Sequence, residues 1–327
     1  MMNNIKSRIL KLAKSDTDRI EKAIEKNLEN EKGIVADAAQ YIIFSGGKRL
    51  RPLLMILSAR LCGYKGENDD LFSIIFEYLH TATLLHDDII DGALIRRKKR
   101  VANKVWNTRT AILTGDFLLA RSLSVAALMK KSEAISVMAG IMEDMAKGEI
   151  EQLNRQRDIT LSEEDCIFII KCKTAVLIEG ACKIGAIISD AKQEKTNCIA
   201  KYGYNIGMAF QMADDLLDYT SATSVLGKET GTDLKEGKLT LPLIYALNAA
   251  EPEDKKKIES IITNKDFNEK NFNILVRLLH KYKGIDYTRN KAEEHIKIAK
   301  KALETFEDSD TKEILSLIAD YSMLRKS

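Results

Sequence analysis

Apolar residues recur at the three-to-four-residue spacing of a helix along almost the whole chain. The pattern predicts an amphipathic N-terminal helix over about Ile5–Leu28 and a second over Ile34–Phe44. Gly46-Gly47 stops that second helix, and Arg51-Pro52 opens the next, which runs to about Leu61. A polar connection, Gly63 to Asp70, precedes a long apolar helix from Leu71 to Asp91. Further helices are expected over Arg109–Lys130, Glu133–Gln152, Ser162–Ile188 and Lys195–Tyr219. Ser162 followed by Glu163, Glu164 and Asp165 is a strong start, because acids in a first turn meet the positive end of the helix dipole. Thr220 to Lys238 reads as a long loop, of a length usually reserved for function. Shorter helices then reach the C-terminus, with breaks near Pro252, Asn264 and Gly284. No segment shows the strict alternation of a strand, and no repeat or linker divides the chain. The expected architecture is all-α, a single domain over residues 1–327 built around a helical bundle.

Composition agrees with long helices, since 3 prolines and 17 glycines in 327 residues leave few turns. Lys and Arg number 51 against 48 acids, a net charge of +3, so charge gives no general case for nucleic-acid binding. Five cysteines without a C-x-x-C pair point to reduced thiols rather than a disulfide framework or zinc site, as in a cytoplasmic protein. Met1 to Lys14 carries no signal-like apolar core, and no apolar run approaches the ~18 residues of a membrane span.

Chemistry is concentrated in two places. Asp87, Asp88 and Asp91 form one D-D-x-x-D, and Asp214, Asp215 and Asp218 form another, each at the C-terminal end of a long apolar helix. Residues four apart share a face, so these carboxylates project together and repel one another at the unfavourable end of the dipole. A hard cation would relieve that repulsion, and an oxygen-only donor set suits Mg²⁺ shared with substrate phosphates. Five residues past the first motif begins Arg96-Arg97-Lys98-Lys99-Arg100, whose guanidinium groups can grip diphosphate oxygens. Gly46-Gly47-Lys48-Arg49-Leu50-Arg51-Pro52 is a second basic cluster, where Lys48 and Arg51 can clamp a second diphosphate at a helix start. His80 lies seven residues before Asp87, on nearly the same face, and is read as a substrate contact.

The blocks Gly46–Pro52, His80–Asp91 with Arg96-Arg97, Lys173-Thr174, Gln211–Asp218, and Gly227-Lys228 through Gly237-Lys238-Leu239-Thr240-Leu241-Pro242 occur in the order of the trans-isoprenyl diphosphate synthase family. The chain resembles that family from about residue 36 to the end, and Leu84–Asp91 is similar to its long-chain, octaprenyl-type branch. The resemblance implies an isoprenoid synthase bundle with a central cavity, which joins isopentenyl diphosphate to an allylic diphosphate in trans. It assigns Lys48, Arg51, His80 and Arg97 to isopentenyl diphosphate. Asp87, Asp88, Asp91 and Asp214 would hold Mg²⁺, assisted by Asp215 and Asp218. Arg96, Lys173, Lys228 and Lys238 would grip the allylic diphosphate, with Thr174 and Gln211 flanking the reacting carbons. Of these, Asp87, Asp88, Asp91, Asp214, Lys173 and Lys228 form the catalytic set. Lys98 stands where the family usually has Gly, so the backbone there is expected to differ.

Short-chain relatives tend to place aromatic rings one turn before the first motif. Here Ala82 and Thr83 stand there, which predicts an open tunnel with Leu123 as a deeper floor. Relatives of this type imply a homodimer with no transmembrane segment, touching a membrane only peripherally on product release. A terpene cyclase would need one substrate, which the second basic cluster argues against. A geranylgeranyl-type synthase and a non-catalytic subunit of a heteromeric prenyltransferase are further alternatives, the latter disfavoured by six intact aspartates.

Overall fold

The computed structural model describes residues 2–97, 99–220, 231–264 and 268–324. The helices, in chain order, are α1 (Met2–Leu12), α2 (Lys14–Leu28), α3 (Ile34–Ile43), α4 (Leu50–Leu61) and α5 (Asp69–Ile90). A two-residue antiparallel ribbon follows, β1 (Ile95–Arg96) with β2 (Lys99–Arg100). Then come α6 (Ala102–Val105), α7 (Thr108–Ala127), α8 (Ser132–Asn154), α9 (Glu163–Ile170) and α10 (Val176–Ile188). The chain continues through α11 (Gln193–Thr220), α12 (Thr232–Lys235), α13 (Leu241–Ala249) and α14 (Pro252–Thr263). It ends in α15 (Glu269–Lys281), α16 (Gly284–Ala302) and α17 (Asp310–Leu324).

The all-α expectation holds, with three local corrections. The N-terminal helix is broken at Ala13 into α1 and α2. Strands β1 and β2 of the basic run pair in antiparallel fashion, with Ile95 facing Arg100 and Arg96 facing Lys99, while Lys98 lies outside the described residues. The helix expected over Ser162–Ile188 contains a π-helical turn at Lys171–Ala175, between α9 and α10. Its start is as read: the Ser162 hydroxyl accepts the Asp165 amide while the Asp165 carboxylate accepts the Ser162 amide. Such a reciprocal cap contributes about 1 kcal/mol.

Two buried apolar clusters organise the bundle. One gathers α2, α4, α5, α7 and α10 around Ile56, Phe76, Leu79 and Ile184. The other gathers the C-terminal helices around Leu243, Leu275 and Leu279. Helix α11 passes from one to the other: Ile199, Tyr202 and Ile206 belong to the first, Met208, Met212 and Leu216 to the second. Small residues let α10 close on it, since a methyl group on Gly203 would stand 2.8 Å from the Ile178 carbonyl.

Helix α7 is long and apolar enough to cross a membrane by length and composition alone, although Arg109, Asp116 and Arg121 interrupt its apolar run, as expected from the sequence. Here it packs on α5, burying Ala111, Leu118 and Val125 in the first cluster, and carries Arg121 bonded to Asn27 and Glu31. All five cysteines are free.

Candidate active site

Where the two clusters meet, a cavity of about 540 Å³ opens. Helix α5 reaches it through His80, Thr83, Leu84 and Asp87, and α11 through Phe210, Gln211, Asp214 and Asp215. The first aspartate motif divides its labour. Asp87 faces the cavity, and burial pushes its carboxyl up to about 6, with Lys173 opposing and Glu149 and Asp91 adding to the rise. Asp88 is buried and its Oδ1 accepts the Arg96 Nε at 2.6 Å. Asp91 Oδ2 accepts the Lys238 Nζ at 2.8 Å.

The second motif is divided too. Asp214 and Asp215 line the cavity. Burial, then the charge of Asp233, pushes Asp215 well above the carboxylate range, although the Gln211 amide donates to its Oδ1 at 2.8 Å. Gln211 in turn accepts the Thr174 hydroxyl at 2.7 Å, so the amide is held in one orientation. Asp218 is not a lining residue. Its Oδ1 accepts the amides of Gly231 and Thr232 and its Oδ2 the amide of Asp233, each at 3.1 Å. It caps α12.

The opposite wall is basic. Lys48, Arg51, His80, Arg96 and Arg97 all line it. Its framework is Arg49, a buried guanidinium at φ 47° before α4. Arg49 donates to Glu77 at 2.5 Å, to Glu21 at 2.8 Å and to the Ile43 carbonyl at 2.8 Å. Arg97 reaches across to the Gly46 carbonyl. A Cβ on Gly47 would lie 3.2 Å from the Arg49 guanidinium and 3.4 Å from that of Arg97, so the two cations leave little room for a side chain. Burial, reinforced by Arg51, Arg97, Arg96 and Arg49, holds the His80 imidazole well below its ordinary pKa. It is a neutral donor in a cationic wall.

Lys173 and Thr174 sit on the π turn, and such turns shift the register of side chains and are frequent at functional sites. Lys173 is bonded to Gln152 and Glu149 of α8. Arg155, Glu77, Gln152 and Asp233 also line the cavity and were not singled out in the sequence. Each lacks a motif around it; only the neighbourhood of Asp233 to Lys238 pointed its way. Lys228 lies outside the described residues. Ala82 is completely buried in the first cluster and does not line this cavity, whereas Thr83 does. Leu123 packs against the first cluster and is likewise not a lining residue.

Among the described residues, no three His, Cys, Asp or Glu side chains are gathered closely enough to hold a metal by themselves. Asp87 and Asp214 instead face one cavity from separate helices. All-oxygen donors of this kind suit a hard cation that takes its remaining ligands from substrate phosphates and water.

An all-helical bundle with carboxylates on two helices and a basic wall around one cavity is an isoprenoid synthase fold. The chain matches the polyprenyl synthetase family over residues 32–279. It is 34% identical to the octaprenyl diphosphate synthase of Haemophilus influenzae, covering 97% of this chain and 96% of that one. It is 31% identical to heptaprenyl diphosphate synthase component 2 of Bacillus subtilis, over 95% and 88% of the two chains. The crystal structure of a polyprenyl synthase from Caulobacter crescentus, complexed with calcium and isoprenyl diphosphate, superposes with a TM-score of 0.92 at 35% identity, covering 98% of each chain. The chain belongs to the polyprenyl synthetase family.

Proposed function

We propose that this chain is a trans-prenyltransferase that condenses isopentenyl diphosphate with an allylic diphosphate such as farnesyl diphosphate, repeatedly, to a medium- or long-chain polyprenyl diphosphate. The observation that carries this reading is the opening of Asp87 and Asp214, one from each motif, onto the cavity that Lys48, Arg51, His80, Arg96 and Arg97 line. The octaprenyl and heptaprenyl names of the relatives support the length class.

Asp87, Asp88, Asp91 and Asp214, with Asp215 assisting, would hold Mg²⁺, which when bound neutralises charge developing on a departing diphosphate. Asp218 serves by holding the start of α12 against the end of α11. Lys48, Arg51, Arg97 and neutral His80 hold the diphosphate of isopentenyl diphosphate. His80 donates a hydrogen bond there without titrating near neutral pH. Arg96, Lys173 and Lys238 hold the allylic diphosphate, in exchange for their present carboxylate and amide partners, and Lys228 is assigned to the same diphosphate by resemblance to the family. The Thr174–Gln211–Asp215 relay fixes dipoles beside the reacting carbons, where positive charge develops. Leu84, Ile169, Ile170, Phe210 and Leu239 give the cavity apolar surface that keeps water from that cation. Resemblance to the family implies that the proton lost after condensation passes to the released diphosphate.

Exposed Ile112 and Leu113 on α7, with Ile135, Ile150 and Leu153 on α8, support a homodimer. A cytoplasmic enzyme with only peripheral membrane contact on product release completes the reading. The Bacillus subtilis relative is named as one component of an enzyme, which favours a second reading in which this chain needs a partner subunit. Mass spectrometry of products from farnesyl and isopentenyl diphosphates with Mg²⁺ tests both. Long-chain product from the purified chain supports the first reading, and product only on adding a second subunit supports the other.

A further inference from the structure

Arg157 lies in none of the motifs, yet it makes a concentrated set of contacts. It follows the end of α8 and adopts a left-handed backbone, φ 58°, that a non-glycine residue rarely takes. Its Nη1 donates to the Ile262 carbonyl at 2.7 Å and the Asn264 carbonyl at 3.1 Å, at the C-terminal end of α14. Its Nη2 donates to the Lys235 carbonyl at 2.9 Å, the last residue of α12. Its own amide donates to the Gly237 carbonyl at 2.8 Å. One residue therefore serves carbonyls at two helix ends and holds the turn between them.

That turn carries Lys238. Gly237 has φ 79°, and a Cβ there would press within 3.0 Å of the Arg157 Cγ, so the two residues are shaped to each other. The Lys238 amide donates to the Asp233 carbonyl at 2.8 Å, and its Nζ reaches Asp91 at 2.8 Å and Glu236 at 2.6 Å. Asp218 fixes the N-terminal side of the same loop. Arg157 fixes the other side.

We propose that Arg157 is a positioning residue that clamps the Lys235–Gly237 turn so that the Lys238 ammonium is presented to the allylic diphosphate. Its catalytic consequence rests on the assignment of Lys238 above; its structural part does not. The backbone strain at Arg157 belongs to this arrangement, since the left-handed conformation brings the amide and the guanidinium onto the same turn.

The test is Arg157→Gly, which accepts the positive φ without strain, keeps the backbone amide and removes the side chain with its guanidinium. Amide hydrogen exchange across residues 231–240 should accelerate, while exchange in α5 stays as in the parent. The allylic KM should rise about tenfold, with the KM for isopentenyl diphosphate within twofold. A general loss of structure would instead lower the melting temperature and scale down kcat for both substrates. Arg157→Gly added to Lys238→Met should raise the allylic KM no further than Lys238→Met alone, because both act through one contact. Unchanged exchange in 231–240 overturns the clamp. Multiplicative effects in the double variant overturn its link to Lys238. A Lys238→Met enzyme with a normal allylic KM overturns the Lys238 assignment and the catalytic consequence of Arg157 with it, whereas the exchange result still decides the clamp.

Discussion

Lys238 Nζ lies 2.8 Å from Asp91 Oδ2, joining two positions 147 residues apart. Burial works against the lysine's charge, but Asp91 and Glu236 more than offset it and raise its pKa. The pair ties the loop after α12 to the end of α5. Together with Arg96 on Asp88, it leaves Asp87 as the member of its motif that faces the cavity.

This division of labour predicts unequal effects of substitution. Asp87→Ala and Asp214→Ala should lower turnover by roughly 10²–10³-fold, the scale of losing one preorganised electrostatic group. Helical circular dichroism and cooperative melting should persist. Asp218→Ala should also cost about 1 kcal/mol of stability, because the α12 amides lose their cap. Near-normal turnover in Asp87→Ala would remove the metal assignment.

The basic wall should separate the substrates. Arg51→Ala should raise the KM for isopentenyl diphosphate by roughly tenfold or more, the loss of a charge-assisted contact. Arg96→Ala should act mainly on the allylic substrate. It should also destabilise the protein, since buried Asp88 loses a 2.6 Å partner. Steady-state kinetics with each substrate varied in turn checks this, and the opposite split would mean the two pockets are exchanged.

His80 makes a pH prediction. Its folded pKa is lowered, by burial first and by four arginines next. Its favourable contribution is therefore fully present above the unfolded value of about 6.5 and is lost as pH falls below it, because only the unfolded chain takes up the proton. The loss accrues at up to about 1.4 kcal/mol per pH unit until the folded pKa is reached. Asp87, Asp215 and Asp233 are raised and act in the opposite sense, losing stability as pH rises through their folded values. Comparison with His80→Asn isolates the histidine: the parent's melting temperature should fall more steeply than the variant's between pH 7 and 5. Parallel curves would show an imidazole that titrates alike in both states.

Much of this was legible in the sequence, for identifiable reasons. Long helices show because apolar spacing is a local signal, and both aspartate motifs show because like charges at a helix end are conspicuous. Resemblance assigned Lys48, Arg51, His80 and Arg97 to one substrate and Arg96 to the other, and all five line one cavity. What was hidden depends on tertiary contacts. The π turn at Lys171–Ala175 has the composition of ordinary helix, and the break at Ala13 has no proline or glycine to announce it. Arg49 and Arg157 take left-handed backbones that only their distant partners stabilise. Asp218 repeats Asp91 within its motif, yet it caps a helix, which spacing alone cannot distinguish.

The apolar face of α7 and α8 predicts association. Sedimentation should give a dimer, and Leu113→Glu, at a side chain 59% exposed, should weaken it without lowering the helical signal. A monomer at all concentrations that retains full activity would refute the homodimer.

Product length is the last prediction, and the structure moves it by one residue. Thr83 and Ala82 are neighbours on α5, so they point to different sides of the helix. Thr83 opens on the cavity one turn before Asp87, with its hydroxyl donating to the His80 carbonyl at 2.9 Å. Ala82 is fully buried among the helices of the first cluster. A phenyl ring at Thr83 therefore enters the space a growing prenyl chain needs, giving up one intrahelical hydroxyl bond. A ring at Ala82 must displace packed neighbours, at a cost of about 1–3 kcal/mol. Thr83→Phe should melt close to the parent and make a shorter main product from farnesyl and isopentenyl diphosphates. Ala82→Phe should melt lower, and any shortening should follow from neighbours pushed into the cavity. Mass spectrometry of products, read beside thermal melts, separates the two. If stable Thr83→Phe makes the parent's product distribution, the chain does not grow past this turn of α5, and the cavity wall that sets its length lies elsewhere.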